Sequence, residues 1–200
     1  MNVASRGLLV LATCASAVAA HATLNFSNID ATVTFEDNSS YDLTVLQHNT
    51  GLDIFAGNMP MYVDSVNSDH TSATVTVSYD ATSTTSINEL DLMFTGWALN
   101  SGQVTYSEQV FDNQNNLLDS VNGTMGNGVP FVQTDTLNFS GVTSFHVTKT
   151  FTLDLNGNGG LQGGSLASIG IIQQNAVPEP ASMAALAMGG LGLFARRRRK

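Results

Sequence analysis

The sequence has few cysteines and few basic residues. Its single cysteine, Cys14, excludes a disulfide framework and a thiolate metal cluster. Six of the seven lysines and arginines lie near the two ends, so Lys149 is the only basic residue between Thr23 and Val177. That segment holds 15 of the 16 acidic residues and has a formal net charge of −14. So few cations cannot displace the counterions of a phosphate backbone, which excludes nucleic acid as a partner.

The interior of the chain also lacks a sustained helical stripe of apolar residues. Apolar and hydroxyl residues alternate instead, most clearly at 72–79 and 145–155. Clusters of Asn, Asp, Gly and Ser separate these runs, which is typical of turns. The pattern predicts an all-β domain over residues 23–176, an antiparallel two-sheet β-sandwich of the jelly-roll or immunoglobulin-like kind. The further strands predicted are 32–36, 41–47, 87–94, 104–111, 117–121, 131–139 and 165–173.

Residues 1–22 have the pattern of a secretory signal peptide. Arg6 precedes an apolar run, and small residues follow it. The run of about 12 apolar residues is too short for an anchor, because crossing a bilayer takes about 20. We predict cleavage after Ala20 or Ala22, with Ala22 favoured. The alternative is lipidation at Cys14, which Thr13 makes a poor match to a lipobox.

The last 24 residues, 177–200, have three parts in a fixed order. A proline-rich quartet ends in Pro178, Glu179 and Pro180, and an apolar stretch follows at 181–195. We predict a transmembrane helix there, although its length of about 22 Å is less than the ~30 Å hydrocarbon core. A cluster of positive charges then acts as a stop-transfer signal and holds the tail in the cytoplasm. The cluster consists of Arg196, Arg197, Arg198, Arg199 and Lys200.

This C-terminal arrangement resembles the PEP-CTERM sorting signal. The Pro-Glu-Pro triplet at 178–180, Gly190-Leu191-Gly192 in the apolar stretch and the terminal arginines all match its pattern. The resemblance implies processing by an exosortase-like membrane enzyme of Gram-negative bacteria that make exopolysaccharide. It also implies removal of the tail near the triplet, with the body released or transferred at the cell surface.

The body offers little support for an enzyme. His48, His70 and His146 are dispersed, and no helix brings two of them onto one face as zinc ligands. Asp69 next to His70 does not supply the geometry of a catalytic triad. Ser165, in a glycine-rich loop, only half fits the nucleophile-elbow pattern. We therefore expect a protein without catalytic residues.

Two features suggest ligands. Asp154, Asn156 and Asn158 occupy the first, third and fifth positions of an EF-hand-type loop, but Ser165 replaces the glutamate at the twelfth. A plain turn is the favoured interpretation of this half-site. No cofactor is therefore predicted, and calcium remains the alternative. Trp97, the only tryptophan, stacks on a sugar ring if it is exposed, but its apolar neighbours favour a place in the core.

Together these patterns predict an exported, non-enzymatic protein of the cell surface or extracellular matrix, associated with exopolysaccharide and biofilm. The association with the extracellular matrix is predicted only from the resemblance to the sorting signal. It implies transient anchoring in the inner membrane, with an exosortase-like enzyme as partner. A carbohydrate-binding β-sandwich module is the first alternative, and a surface hydrolase is the second.

Overall fold

The chain folds as antiparallel β-structure in a computed structural model that describes residues 23–57, 61–66, 69–156 and 163–178. Strands account for all of the regular structure in these ranges, where no helix long and apolar enough to cross a membrane occurs. The eight strands are β1 Leu24–Phe35, β2 Ser40–Asp42, β3 Thr44–Gln47, β4 Gly51–Phe55, β5 Tyr62–Asp64, β6 Ser72–Asp112, β7 Leu117–Asp154 and β8 Leu166–Pro178.

The long strands β6 and β7 each pass from one layer of the structure to the other. Their register changes at irregularities such as Thr82/Ile87 and Ala98/Gln103, where the chain bends between layers. The first layer contains, in order, β2, β1, β6 residues 72–82, β7 residues 144–154, β6 residues 103–112 and β7 residues 117–126. The second contains, in order, β3, β4 with β5 beside it, β8, β6 residues 87–99 and β7 residues 128–138.

The two layers pack face to face around one hydrophobic core. In most of β6, and in β7 residues 145–153, buried side chains alternate with half-buried or exposed ones, as in strands that face the core on one side. Phe94 of the second layer lies 4.8 Å from Tyr106 and 5.0 Å from Phe151 of the first layer, measured between ring centroids. Burial of such rings supplies the main stabilisation, about 25 cal/mol per Å² of apolar surface. The predicted antiparallel β-sandwich is therefore confirmed.

Several local predictions need correction. The Asn and Gly residues at 122–128 suggest a mobile loop, but this segment continues β7, where 122–126 pair with 103–107 of β6. The predicted strand 41–47 is two strands in different layers, with buried Leu43 between them. As an apolar residue of the predicted strand 32–36, Phe35 is expected in the core, but it is only half-buried and stacks on His70. The Asp and Asn cluster between the apolar residues 111 and 117 predicts a hairpin, which is confirmed, with Asn115 in the left-handed conformation (φ 64°).

The predictions for the two ends lie outside the described residues. These are the signal peptide at 1–22, the transmembrane helix at 181–195 and the basic tail at 196–200.

Candidate functional site: the Trp97 face

Trp97 lies on the outer surface of the second layer, not in the core. Its neighbours Phe94 and Ala98 are buried, whereas 46% of Trp97 is exposed. The prediction of a core tryptophan was wrong because the apolar residues around it belong to the opposite face of the same strand. An exposed tryptophan of this kind supplies a large flat surface with a polar N–H at its edge.

The register places a second aromatic residue on the same face. Trp97 and Tyr62 both pair with Ser168 of β8, from opposite sides. Directly opposed residues point to the same side of a sheet, and strands are spaced about 4.8 Å apart. The two aromatic residues therefore flank Ser168 on one surface, with their backbones about 10 Å apart.

A second row, apolar except for Thr95, lies beside this pair. It consists, in successive strands, of Phe55, Ile171, Thr95 and Val132, of which Val132 is 68% exposed. Gly170 separates the two rows without adding a side chain. We call this surface the Trp97 face. It comprises Phe55, Tyr62, Trp97, Val132, Ser168 and Ile171.

Polar groups border the Trp97 face on the next row of the sheet. Gln173 donates from Nε2 to Asp53 Oδ1 at 2.8 Å, and the other oxygen of Asp53 lies 2.9 Å from His48 Nε2. Asp53 and Gln173 are half-buried, so part of each polar side chain reaches the surface beside the Trp97 face. An apolar platform bordered by an amide and a carboxylate can contact both the C–H face and the hydroxyl groups of a ligand.

The three histidines of the body lie in separate places. His48 contacts Asp53, His146 Nδ1 is 2.7 Å from Asp80 Oδ1, and His70 is 3.8 Å from Glu36. His70 is thus directed at Glu36 and the Phe35 ring. Within the ranges that the structure covers, no three His, Cys, Asp or Glu residues form a group able to hold a metal ion.

The proposed calcium half-site is only partly described. Asp154 ends β7, and its Oδ1 accepts a hydrogen bond from the backbone N–H of Asn156 at 2.7 Å. This contact is the side-chain turn that the plain interpretation of the motif predicts. Asn158 lies outside the described residues, so the third predicted ligand is not placed.

Three buried polar residues were missed in the sequence. Lys149, Glu108 and Gln174 are at most 2% exposed and lie in the core between the layers. Each occupies a core-facing position in an alternating strand, since the residues two positions away on either side are buried. The alternation of a strand could have revealed this burial, because a period of two places Lys149 on the same face as the apolar residues Val147 and Phe151.

The last described strand leads directly into the C-terminal motif. β8 ends at Pro178, which pairs with Ile87, so the last strand extends beyond the predicted 165–173 and reaches the first residue of the Pro-Glu-Pro triplet. Glu179 and Pro180 lie outside the described residues. The Pro-Glu-Pro triplet therefore begins at the end of a central strand of the sandwich.

The chain is thus a β-sandwich protein with an appended C-terminal signal. Residues 176–200 match the model of the PEP-CTERM protein-sorting motif, which confirms the resemblance found in the sequence. The motif marks the chain as an exported protein that is sorted by an exosortase after transient membrane anchoring.

A search of curated proteins finds no match to the chain. Among solved structures, it is similar to the enzymatically active domain of bacteriophage CBA120 tailspike protein 4, with 14% identity and a TM-score of 0.36. That match covers 79% of this chain and 20% of the tailspike chain. TmCBM61, in complex with β-1,4-galactotriose, gives 13% identity and a TM-score of 0.39 over 74% of this chain and 88% of its own. The CBM36-1 domain of a multidomain xylanase from the hindgut metagenome of Trinervitermes trinervoides has 12% identity and a TM-score of 0.31. That match covers 75% of this chain and 100% of the CBM36-1 chain.

Proposed function

We propose that this protein is a non-enzymatic component of the cell surface or extracellular matrix that binds exopolysaccharide through the Trp97 face. The exposure of Trp97 beside Tyr62 is the observation that carries the proposal. Contiguous apolar patches of more than about a few hundred Å² are uncommon on monomeric proteins and often mark binding sites.

The chemistry of the Trp97 face suits a sugar polymer. Sugar rings present C–H groups on their faces and hydroxyl groups at their edges. The rings of Trp97 and Tyr62 offer surfaces for the C–H groups. The side chains of Asp53 and Gln173 offer hydrogen-bond partners for the hydroxyl groups. A flat sheet surface also accommodates a long polymer, whereas a small molecule is better held in a concave pocket.

The test of ligand binding is affinity electrophoresis of the protein in gels that contain exopolysaccharide from the producing cells. Trp97→Ala removes the main stacking surface, worth about 1.5–3 kcal/mol when buried, and should weaken binding about tenfold to a hundredfold. Tyr62→Ala should weaken binding to a smaller extent.

A matched control is Leu117→Ala, which removes an exposed apolar side chain at the start of β7 in the first layer. It should leave binding unchanged. Equal binding by the wild type and Trp97→Ala would reject the Trp97 face as the binding surface. Turnover of the polysaccharide, abolished by a single acidic or histidine substitution, would support the surface hydrolase instead.

The sorting part of the proposal has its own test. Replacing Pro178, Glu179 and Pro180 with alanine should leave a membrane-bound precursor in the producing cells. Intact mass of the wild-type protein should show a mature chain without residues 1–22 and without the segment after about residue 180. Finding Arg196 to Lys200 on the surface-exposed form, or normal release of the triple variant, would contradict processing at this motif.

A further inference from the structure

Three polar side chains meet in the centre of the sandwich. Lys149 Nζ lies 2.5 Å from Glu108 Oε1 and also donates to Gln174 Oε1. The side chains of Lys149 and Glu108 are fully excluded from solvent, and Gln174 is 2% exposed. An amine, a carboxylate and a carboxamide are therefore in mutual contact in an apolar core.

The pairing of strands within each layer sets the positions of these three residues. In the first layer Lys149 pairs directly with Glu108 on one side and with Val77 on the other. In the second layer Gln174 pairs with Leu52 and Leu92, which are both buried. The contact between Lys149 and Gln174 therefore crosses from one layer to the other.

Hydrogen bonding at this cluster is incomplete. Among the residues that the structure describes, Glu108 Oε2 and Gln174 Nε2 are buried without a hydrogen-bond partner. Buried ion pairs carry a large desolvation penalty, which complete hydrogen bonding normally offsets. A structural ion pair accounts for the amide oxygen, which accepts from the amine, but it leaves the amide nitrogen of Gln174 and Oε2 of Glu108 without partners.

The surroundings favour an amine that acts as a nucleophile. Burial lowers the pKa of Lys149, although the negative charge of Glu108 opposes this change. A lower pKa increases the fraction of neutral amine, the form that attacks a carbonyl carbon. The amine is held against the Gln174 carboxamide by folding, so the entropic cost of bringing the two together is already met.

We propose that Lys149 and Gln174 become joined by an intramolecular isopeptide bond after the chain folds. The lone pair of Lys149 Nζ attacks Cδ of Gln174 and forms the new N–C bond. Glu108 accepts a proton from Nζ and transfers it to Nε2 of Gln174. The Cδ–Nε2 bond then breaks, ammonia leaves and Glu108 is again a carboxylate, so the reaction needs no oxidant or cofactor.

Such a bond would link β7 to β8 covalently in a body domain that contains no cysteine. It closes a loop between residues 25 positions apart and connects the two layers. β8 is also the strand that continues into the sorting motif. The cross-link would therefore secure the strand through which the body is attached during sorting.

The sequence provides a direct test with trypsin. Between Arg6 and Arg196, Lys149 is the only residue after which trypsin cleaves. Full-length protein is denatured, digested and analysed by mass spectrometry. We expect the segment between Arg6 and Arg196 to remain one polypeptide, with a mass lower than that of its sequence by one ammonia.

Lys149→Arg is the matched control, because trypsin cleaves after arginine and a guanidinium does not form this bond. This variant should be cut into two fragments with no mass deficit. Gln174→Leu and Glu108→Gln keep the lysine and should likewise be cut after Lys149. The wild-type result stands even if a variant fails to fold, since digestion is carried out on denatured protein.

Complete cleavage of the wild type after Lys149, with the full sequence mass, would overturn the proposal and leave an ordinary buried ion pair. Loss of water in place of ammonia would assign the bond to Glu108 and would also overturn it. Resistance of Gln174→Leu to trypsin, with the same deficit as the wild type, would show that Gln174 is not the acyl donor.

Discussion

At the scale of single residues, Tyr106 connects the two layers through its hydroxyl group. The hydroxyl donates to Asp135 Oδ2, while Gln133 Nε2 donates to the same hydroxyl oxygen at 3.2 Å. Burial and the Asp135 carboxylate raise the pKa of Tyr106 to about 12, so the hydroxyl stays protonated at neutral pH. Gly123 leaves the space that this ring occupies.

We expect Gly123→Ala to disturb this connection. A Cβ at residue 123 would lie 2.6 Å from the ring and hydroxyl of Tyr106, closer than real contacts allow. The strain should reduce the free energy of unfolding by about 1–3 kcal/mol in urea denaturation. Gly163→Ala is the control, since nothing lies within 4 Å of its added Cβ. Equal stability of the two variants would contradict this account.

Asp80 makes the stability of the fold depend on pH. Hydrogen bonds from Asn28 and with His146 hold its pKa below the ordinary 3.8. A carboxylate with a lowered folded-state pKa stabilises the fold above pH 3.8, and this contribution is lost as the pH falls through its lower folded value.

In melting experiments between pH 5 and 3 in high salt, the Tm of the wild type should therefore fall more steeply than that of Asp80→Asn. Asp30→Asn removes a carboxylate of β1 and should retain the wild-type slope. The same slope in Asp80→Asn would show that the Asn28 and His146 contacts contribute nothing to acid sensitivity.

At the scale of elements, the contact between β6 and β8 depends on a glycine beside Trp97. A Cβ on Gly96 would overlap the carbonyl oxygen of Ser168 and lie 2.7 Å from the Phe131 ring. Since a backbone oxygen cannot rotate away, Gly96→Ala should separate the strands and cost at least about 2 kcal/mol.

The same variant should also weaken polysaccharide binding, because Trp97 is the next residue and its orientation follows the strand. Gly170→Ala in β8 is a control for the effect of losing a glycine on stability alone, because its new side chain would lie between the two rows of the Trp97 face. Its Cβ would lie 3.1 Å from the Thr95 hydroxyl, which can rotate, and 3.9 Å from the Thr95 backbone oxygen, an ordinary contact. Wild-type stability of Gly96→Ala would show that the strands are not in close contact there.

The elements also show how far the sequence predicts the structure. Alternation alone identified the strands at 72–79 and 145–155, since both are buried on one face only. It missed β4 and β5, which at five and three residues are too short to establish a period of two. It left Trp97 on the exposed side of an unbroken alternation, but the apolar neighbours Phe94 and Ala98 favoured the core although they belong to the opposite face. The contact between Lys149 and Gln174 depends on how the two layers pack against each other, which no local pattern encodes.

At the scale of the whole molecule, the two outer faces of the sandwich differ in chemistry. Hydroxyl side chains dominate the first layer, where Thr32 and Thr76 hydrogen-bond to each other at 2.9 Å. Thr34, Thr74, Thr152, Thr105 and Thr124 form one continuous row across five of its strands. The second layer carries the apolar Trp97 face. A ligand that stacks on aromatic rings therefore has a preferred side of the molecule.

The charge of the body should make its stability sensitive to ions. The segment between Thr23 and Val177 has a formal net charge of −14, and its one cation, Lys149, is buried beside Glu108. The surface carboxylates therefore have no cation among these residues to offset their repulsion. At about 0.1 M, dissolved salt largely screens the repulsion between charges that are more than about 10 Å apart.

We expect the Tm to rise with added sodium chloride or calcium, by about 2–4 °C for each kcal/mol gained. Equal gains from the two salts at matched ionic strength would indicate screening alone. An additional, saturable gain from calcium that is lost in Asp154→Ala would indicate a specific site at the turn after β7, where Asp154 already accepts a hydrogen bond from Asn156. A Tm that does not change with salt would contradict the view that repulsion among the carboxylates limits the stability of this fold.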